Sequence, residues 1–558
     1  MNRFAELLDR LAFEHGRHGK LRLLADYFRH VDDPDRGFAL AALTGGLSFR
    51  HAKPALVRQL IAERTDATLF AMSYDHVGDL SETVALLWPA PPAPAGHNAP
   101  PPPRLSDVVE ILRATPKAGV PRALAELLDQ LDETGRWALL KLITGGLRIG
   151  VSARLAKTAL AGLGGLEPDA IEDIWPGLAP PYIDLFAWIE GRADKPVTSD
   201  PAPFRAAMLA HALEEADFAA LDPADFAAEW KWDGVRVQAV TGRDETGRLV
   251  GRLYSRTGED VSAAFPDVLE AICDEAFGEA AVDGELLVMR AGRVESFSTL
   301  QQRLNRKKVD AKLIAAYPAH VRAYDLLAEG GRDLRGLHFA ERRARLERFL
   351  ATRKPQRFDL SPLVDFADWA ELARARREPA QAGACAQADA IEGVMLKRLD
   401  SIYVPGRPKG LWWKWKRDPF TLDAVLMYAQ RGHGKRASFY SDYTFGVWRD
   451  GPEGDELVPV GKAYFGFTDA ELKQLDKWVR DHTTNRFGPV REVEAGRAGG
   501  LVLEIAFEGV QRSARHKSGV AMRFPRVSRI RWDKPARDAD RLESVEALIG
   551  ERKTQEAP

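Results

Sequence analysis

The sequence predicts a multidomain protein: an all-α region first, an α+β unit in the middle and a small β barrel toward the C-terminus. Three observations carry that prediction. Apolar residues recur at helical spacing through the first third, and period-two alternation takes over after about residue 204. The length, 558 residues, exceeds one core of roughly 100–200 residues.

In the first third, "FAELLDRLAF" sets Phe4, Leu7, Leu8 and Leu11 on one helical face, and "RALAELLDQLDETGRWALLKLI" repeats the pattern. "LTGGLSFR" (Leu43–Arg50) and "ITGGLRIG" (Ile143–Gly150) match at an offset of 100 residues, each followed by a helical pattern, which predicts two copies of a helix-loop-helix unit. Gly45-Gly46 and Thr144-Gly145-Gly146, with Arg148 beside the second pair, admit two readings. A Gly-Gly opening a helix exposes N–H groups to a phosphate; one closing a helix is a C-cap. Between the copies, the Pro/Ala-rich Trp88–Arg104 reads as an extended loop.

"ADKPVTSDPAPF" (Ala193–Phe204) marks the next break. Short alternating runs interrupted by helices such as "HFAERRARLERFLA" then predict an α+β unit reaching about residue 417. From Thr421 onward, five short strands with one helical insert, "TDAELKQLDKWVRDH", suit a small barrel of the OB type.

Composition narrows the function classes. Apolar content of 45%, 29% charged residues and 13 tryptophans exclude wholesale disorder. The N-terminus lacks an apolar stretch with a small-residue cleavage site, and no run approaches about 18 apolar residues, so a cytoplasmic protein without a membrane partner is expected. Two distant cysteines, Cys273 and Cys385, exclude a disulfide framework and a four-cysteine zinc module, and read as inert core thiols. The net charge of −2 hides two basic, aromatic-interleaved stretches, Tyr403–Arg417 and Arg512–Lys534, of the kind that contact phosphates.

The stretch "EWKWDGVRVQAV" (Glu229–Val240) reads as a hairpin with Asp233-Gly234 as its turn. Lys231 stands two residues before that turn. A nucleophilic lysine must be unprotonated, so its pKa has to fall well below about 10.4 through burial or neighbouring cations. The flanking tryptophan, Arg236 and "WWKWKR" are placed to supply both, and Trp232 itself reads as core packing.

Lys231-Trp232-Asp233-Gly234-Val235-Arg236 resembles the K-x-D-G-x-R motif of the covalent nucleotidyltransferases, and most closely that of the ATP-dependent DNA ligases. Six further stretches match that family in order: "SRTGED" (Ser255–Asp260), "VDGELLV" (Val282–Val288), "AYDLL" (Ala323–Leu327), "EGVMLK" (Glu392–Lys397), "WWKWK" (Trp412–Lys416) and "RFPRVSRIRWDK" (Arg523–Lys534). "TGGLRIGVSARLAK" (Thr144–Lys157) resembles the signature of the family's helical DNA-binding domain, and "AAMLAH" (Ala206–His211) the segment that joins it to the adenylation domain. Trp413, Trp415 and Tyr324 depart from the residues more common at their positions.

The resemblance implies a helical DNA-binding domain over 1–198, an adenylation domain over 199–417, an OB-fold domain over 418–540 and a tail over 541–558. It implies Lys231 as the nucleophile that takes AMP from ATP, with Lys414 and Lys416 neutralising the α-phosphate. Arg236 and Arg256 fall beside ribose and phosphate, Tyr324 stacks on adenine, Glu229 accepts from its amino group, and Lys397 completes the nucleotide site. Glu285 and Glu392 are the carboxylates suited to Mg²⁺ or ribose contact. Arg531 and Lys534 belong to a mobile barrel that orients pyrophosphate. Gly45, Gly46, Thr144, Gly145, Gly146 and Arg148 become DNA contacts, and the expected partner is nicked duplex DNA encircled by a monomer. NAD as donor is disfavoured, because the chain lacks the zinc cysteines of NAD-dependent ligases.

Overall fold

The expected helical spacing is realised at once: the helix Asn2–Phe13 buries Phe4, Leu7, Leu8 and Leu11 along one stripe. The structure is a computed structural model describing all residues except 78, 90–100, 197–199, 305, 307–308, 432–438, 453, 489, 514–515 and 555–558. Most of the expected Pro/Ala loop lies outside the described residues; at its start Trp88 is buried and donates its indole N–H to Asp129 at 2.8 Å. Contacts divide the chain into two units: Met1–Leu163 with Pro180–Ile183 and Asp418–Pro558, and Gly164–Ala179 with Asp184–Arg417.

Both copies of the helix-loop-helix unit are present. Helices Asp35–Thr44 and Glu133–Thr144 end on Gly45 (φ 79°) and Gly145 (φ 73°), and the helices Pro54–Ala62 and Ala153–Ala161 follow. A left-handed residue closing a helix is what glycine permits. The N–H groups of Gly45, Gly46 and Gly145 bond back to the carbonyls of Ala42, Ala41 and Lys141 at 3.3, 2.8 and 3.1 Å. Of the two Gly-Gly readings the C-cap therefore holds. These amides face the negative end of a helix and are already used, so no phosphate cradle forms from them. In the second loop Ser152 caps the following helix by accepting from Leu155 N–H, while Arg148 is exposed at φ 50°.

The second unit contains β1 (His211–Ala212), β2 (Phe226–Trp232), β3 (Val235–Arg243), β4 (Leu249–Ser255), β5 (Ala280–Arg290) and β6 (Arg293–Val294). It continues with β7 (Ala319–Glu329), β8 (Arg332–Asp333), β9 (Phe358–Leu360), β10 (Leu363–Val364), β11 (Ile391–Arg398) and β12 (Trp412–Lys416). One sheet runs β1-β12-β11-β2-β10; the other runs β4-β3-β5-β7-β8, with β6 on β5 and β9 on β7.

This order corrects the hairpin expectation. β2 and β3 do not pair with each other, and Asp233-Gly234 is the corner where the chain leaves one sheet and enters the other. Glycine is required there by close approach: a Cβ on Gly234 would lie 2.5 Å from the Leu286 carbonyl oxygen. Alternation alone misled, because it shows that both strands are half-buried and not which strands they join. Trp232 is buried as expected, donates to Ser361 Oγ at 3.1 Å and lies under the Arg322 guanidinium at 4.2 Å.

The helix Phe339–Arg353 buries Phe339, Leu346 and Phe349. Arg342 and Arg343 share that stripe. Arg342 meets Asp325 of β7 in a two-pronged pair at 2.8 and 2.9 Å, with both side chains fully buried.

The barrel region comprises β13 (Phe420–Arg431), β14 (Tyr440–Gly451), β15 (Gly454–Ala463), β16 (Thr483–Phe487), β17 (Val490–Val493) and β18 (Val502–Phe507). The hairpin β19 (Gly509–Arg512)–β20 (Val520–Arg523) and β21 (Arg526–Arg531) complete it. β13 organises the sheet: one edge pairs with β14, and the other with β18 over its first half and β17 over its second. That branching curls the sheet in the OB manner. The inserted helix Asp469–Asp481 opens on a capping box between Thr468 and Glu471. All five expected strands form, as β13, β14, β15, β18 and β21; β16, β17 and the hairpin β19–β20 are additional. β16 is almost wholly exposed and polar, which removes the alternation that would reveal it. The stretch read as a tail is helical over Leu542–Thr554, and Leu542 and Val545 join the barrel core.

Cys273 and Cys385 are exposed, so neither is the core thiol expected. Among the described residues no helix is long and apolar enough to cross a membrane.

Removing one partner of a buried pair strands the other charge. Asp325→Ala should cost about 3–5 kcal/mol of stability, while Asp325→Leu with Arg342→Met should restore most of it. Urea unfolding of both variants checks this, and equal losses would sink it.

Candidate active site

Strand register gathers the candidate residues on one face of the β1-β12-β11-β2-β10 sheet. Cross-strand partners share a face, and every second residue along a strand returns to it. Lys231 of β2 lies opposite Gly393 of β11, which lies opposite Lys416 of β12. The next row is Glu229, Met395 and Lys414; the third is Ala227, Lys397 and Trp412.

A bulge breaks this order usefully. Register shifts between Ile391 and Gly393, leaving Glu392 as an extra residue on β11. Its carboxylate reaches Lys231 Nζ at 3.0 Å and Lys416 Nζ at 3.6 Å through the same oxygen. Gly393 makes the bulge possible. Its φ is 150°, and a Cβ there would lie 2.2 Å from the Trp415 carbonyl oxygen.

The electrostatics of Lys231 differ from expectation. Burial pulls its ammonium down, but the carboxylates of Glu392 and Glu285, the hydrogen bond to Glu392, and Asp233 outweigh burial, so its pKa stands above the ordinary lysine value. The expected depression by neighbouring cations does not occur, because the nearest charges are acids. Glu392 moves the opposite way: burial opposes it, yet Lys231, a hydrogen bond with Asp233, and Lys416 hold its carboxyl well below the usual range. Glu285, on β5, is pushed up to about 7 by burial and by Glu392 and Asp233, against the pull of Lys231 and Arg236.

Lys414 sits among cations. Burial and then Arg407, Lys416, Lys231 and Arg256 lower its pKa. Five cations without intervening acids would mark an anion site; here Glu392 partly offsets them. Arg256 is exposed in the turn after β4, where Gly258 takes φ 84°.

Arg236 is firmly held. It donates to Asp283 Oδ2 and the Met208 carbonyl, each at 2.5 Å, and to the Tyr403 hydroxyl at 2.9 Å; Tyr403 in turn donates to Asp283 at 2.6 Å. Its guanidinium stands 5.9 Å from the Tyr324 ring centre. Glu229 is buried, with Oε1 taking a hydrogen bond from Arg343 at 2.9 Å and Oε2 paired with Lys397 at 2.8 Å. Lys397 is buried among the rings of Tyr324, Phe339 and Trp412 at 4.4, 4.9 and 4.8 Å, and burial lowers its pKa despite Glu229 and Asp325.

The second unit thus brings Lys231, Glu229, Lys397, Lys414, Lys416, Glu392, Arg236, Glu285, Tyr324 and Arg256 into one neighbourhood. Arg531 and Lys534 belong to the other unit, where both pair with Asp423 Oδ2, at 3.0 and 2.8 Å. Sequence reading missed Arg343, Asp283, Tyr403, Arg407 and Asp423. Arg343 left a signal, as a charged residue on the apolar stripe of an amphipathic helix; Asp283, Tyr403 and Arg407 lie inside stretches the sequence singles out, without being marked individually, and Asp423 left none.

Three family models match successive parts of the chain: "DNA ligase N terminus" over residues 1–161, "ATP dependent DNA ligase domain" over 207–416 and "ATP dependent DNA ligase C terminal region" over 436–534. A probable DNA ligase of Koribacter versatilis is 31% identical, covering 98% of this chain and 96% of its own length. The chain belongs to the ATP-dependent DNA ligase family. DNA ligase 1 of Korarchaeum cryptofilum is 30% identical, with 98% of each chain covered. The solved chain Pmar-Lig_PreS3 shares the fold, with a TM-score of 0.58 at 15% identity over 95% of this chain and 99% of its own. As a family member, this ligase is an ATP-dependent enzyme that joins DNA by nucleotidyl transfer.

Mg²⁺ fits the ligase's donor set. Among the described residues no three or more His, Cys, Asp and Glu side chains form a protein-only metal cage. Mg²⁺ in nucleotide sites is typically held by one or two carboxylates plus phosphate oxygens and waters, and Glu392 and Glu285 flanking Lys231 match that pattern.

Gly393→Ala should displace Glu392 and Lys416 and slow DNA joining about 100-fold if these side chains serve the reaction, the size of loss a misplacement of about 1 Å causes; a rate near wild type would contradict the bulge argument. Glu392→Gln removes a carboxylate that raises the Lys231 pKa. Burial is then opposed only by Glu285 and Asp233, the pKa falls, and amine-reactive labelling of Lys231 at pH 8 without nucleotide should speed up about tenfold per pKa unit lost, read by peptide mass spectrometry. Unchanged or slower labelling would show that Glu392 does not set that pKa.

Proposed function

We propose that the ligase seals nicks in duplex DNA through an AMP carried on Lys231. The Lys231 amine, once it has lost its proton, attacks the α-phosphorus of ATP; the bond to the β-phosphate oxygen breaks and pyrophosphate leaves with the electron pair. A 5′-phosphate oxygen at the nick then attacks the same phosphorus, and the lysine nitrogen departs and regains a proton. Finally the 3′-hydroxyl, losing its proton, attacks the 5′-phosphate and AMP leaves.

The observation that carries this reading is the Lys231–Glu392–Lys416 grouping, with Lys231 Nζ 3.0 Å from Glu392. It supports a nucleophile held by a carboxylate and placed beside the cations that phosphoryl charge requires. Lys414 and Lys416 hold the α-phosphate, Tyr324 stacks on adenine, Glu229 accepts from its amino group, Lys397 lies against both, and Arg236 and Arg256 take the ribose and phosphate side. Glu285 and Glu392 would hold Mg²⁺, which would supply charge neutralisation when bound.

Arg531 and Lys534 serve adenylation by exchanging Asp423 for the β- and γ-phosphates of ATP. DNA is gripped through its backbone by a monomer encircling the duplex in the cytoplasm, with Arg148 and the exposed loops around Gly45-Gly46 and Thr144-Gly145-Gly146 as contacts. Binding should therefore be salt-sensitive and weakly sequence-dependent.

Incubation with α-labelled ATP and Mg²⁺ should place label on Lys231, and Lys231→Ala should abolish it; label surviving that change, or absent from the wild type, would sink the proposal. Lys534→Ala should slow adenylation at least about tenfold while sparing the sealing of pre-adenylated nicks, since on this reading Lys534 meets the phosphates of ATP and not the adenylated nick. Equal loss in both assays would count against that assignment.

A further inference from the structure

The Glu229 carboxylate is held by a residue outside its own sheet. Arg343 projects from the helix Phe339–Arg353 and donates from Nη1 to Glu229 Oε1 at 2.9 Å. Two other acceptors anchor the same guanidinium. Nη2 donates to the Ser361 carbonyl at 2.6 Å, and Nε to Glu347 Oε1 at 3.0 Å. A planar guanidinium held on three sides cannot rotate, so the oxygen it bonds is fixed in direction as well as position. Glu229 is 2% exposed and Arg343 6%, so water does not replace this contact.

We infer that Arg343 is the positioning residue that aims the Glu229 carboxylate at the nucleotide base and so sets the preference for a 6-aminopurine. This rests on the reading of Glu229 as acceptor for the adenine amino group. A carboxylate offers about four lone-pair sites and no donor. Arg343 takes one on Oε1 and Lys397 one on Oε2, which leaves acceptor capacity for an exocyclic amine and none for pairing with a 6-oxo group. Lys397 lies on the same sheet face as Glu229 and pulls the carboxylate along that face. Arg343 pulls from the helix. Without it, Glu229 turns toward Lys397 and its free lone pairs lose their aim.

The test compares enzyme adenylation by ATP, GTP and purine riboside triphosphate, which carries hydrogen at the 6-position, in the wild type, Glu229→Gln, Arg343→Met and Arg343→Lys. The wild type should favour ATP over purine riboside triphosphate in KM. Glu229→Gln and both Arg343 variants should shrink that ratio at least about tenfold by raising KM for ATP, with the rate at saturation little changed. Arg343→Lys keeps the charge but lacks the fork, and it decides the matter if Arg343→Met folds poorly. Retention of the ratio by Arg343→Lys while Glu229→Gln loses it overturns the inference and leaves the Glu229 reading intact. An equal loss for all three nucleotides in Arg343→Lys marks a merely structural role and also overturns it. Retention of the ratio by Glu229→Gln removes the Glu229 reading itself, and the inference with it.

Discussion

The contact between Lys231 and Glu392 is the constraint on which the site depends. It exists because β11 carries one extra residue opposite β2, and because the residue after it is a glycine whose missing Cβ leaves room for the carbonyl of Trp415. In the register that pairs Gly393 with Lys231, a regular ladder would set Glu392 opposite Trp232, on the face away from Lys231. The bulge instead turns a carboxylate into the row that already holds Lys231 and Lys416. Sheet geometry and charge pairing thus meet at one backbone irregularity.

The charges around that contact are arranged in opposition. Carboxylates at Glu392, Glu285 and Asp233 keep the Lys231 ammonium charged, while Arg407, Lys416, Lys231 and Arg256 press on Lys414. Each group is thus charged in a way an incoming phosphate and cation would rebalance.

A second layer holds the first in place. Arg342 and Arg343, adjacent on one helix, reach Asp325 and Glu229; Asp283 and Tyr403 lock Arg236; Arg322 covers Trp232 behind Lys231. Nearly every cation here is met by an acid or a carbonyl, so the buried charges are paired. In the barrel the same economy appears at Asp423, which takes both Arg531 and Lys534.

Much of this was legible from the amino-acid order. Helical spacing from Phe4 to Leu11, the paired Gly-Gly loops, the change to alternation and the ordered stretches around Lys231, Glu285, Glu392, Lys414 and Lys416 are local patterns, and local patterns report periodicity and residue chemistry directly. The partner of each strand is not a local property. Hence β2 and β3 looked like a hairpin but enter different sheets, and Lys231 looked depressed by cations but is surrounded by acids that arrive from β5 and β11. By itself the sequence determined the elements and the residue types brought to the site; only the tertiary structure decided register, bulge and charge neighbours, because these depend on distances between residues far apart in the chain.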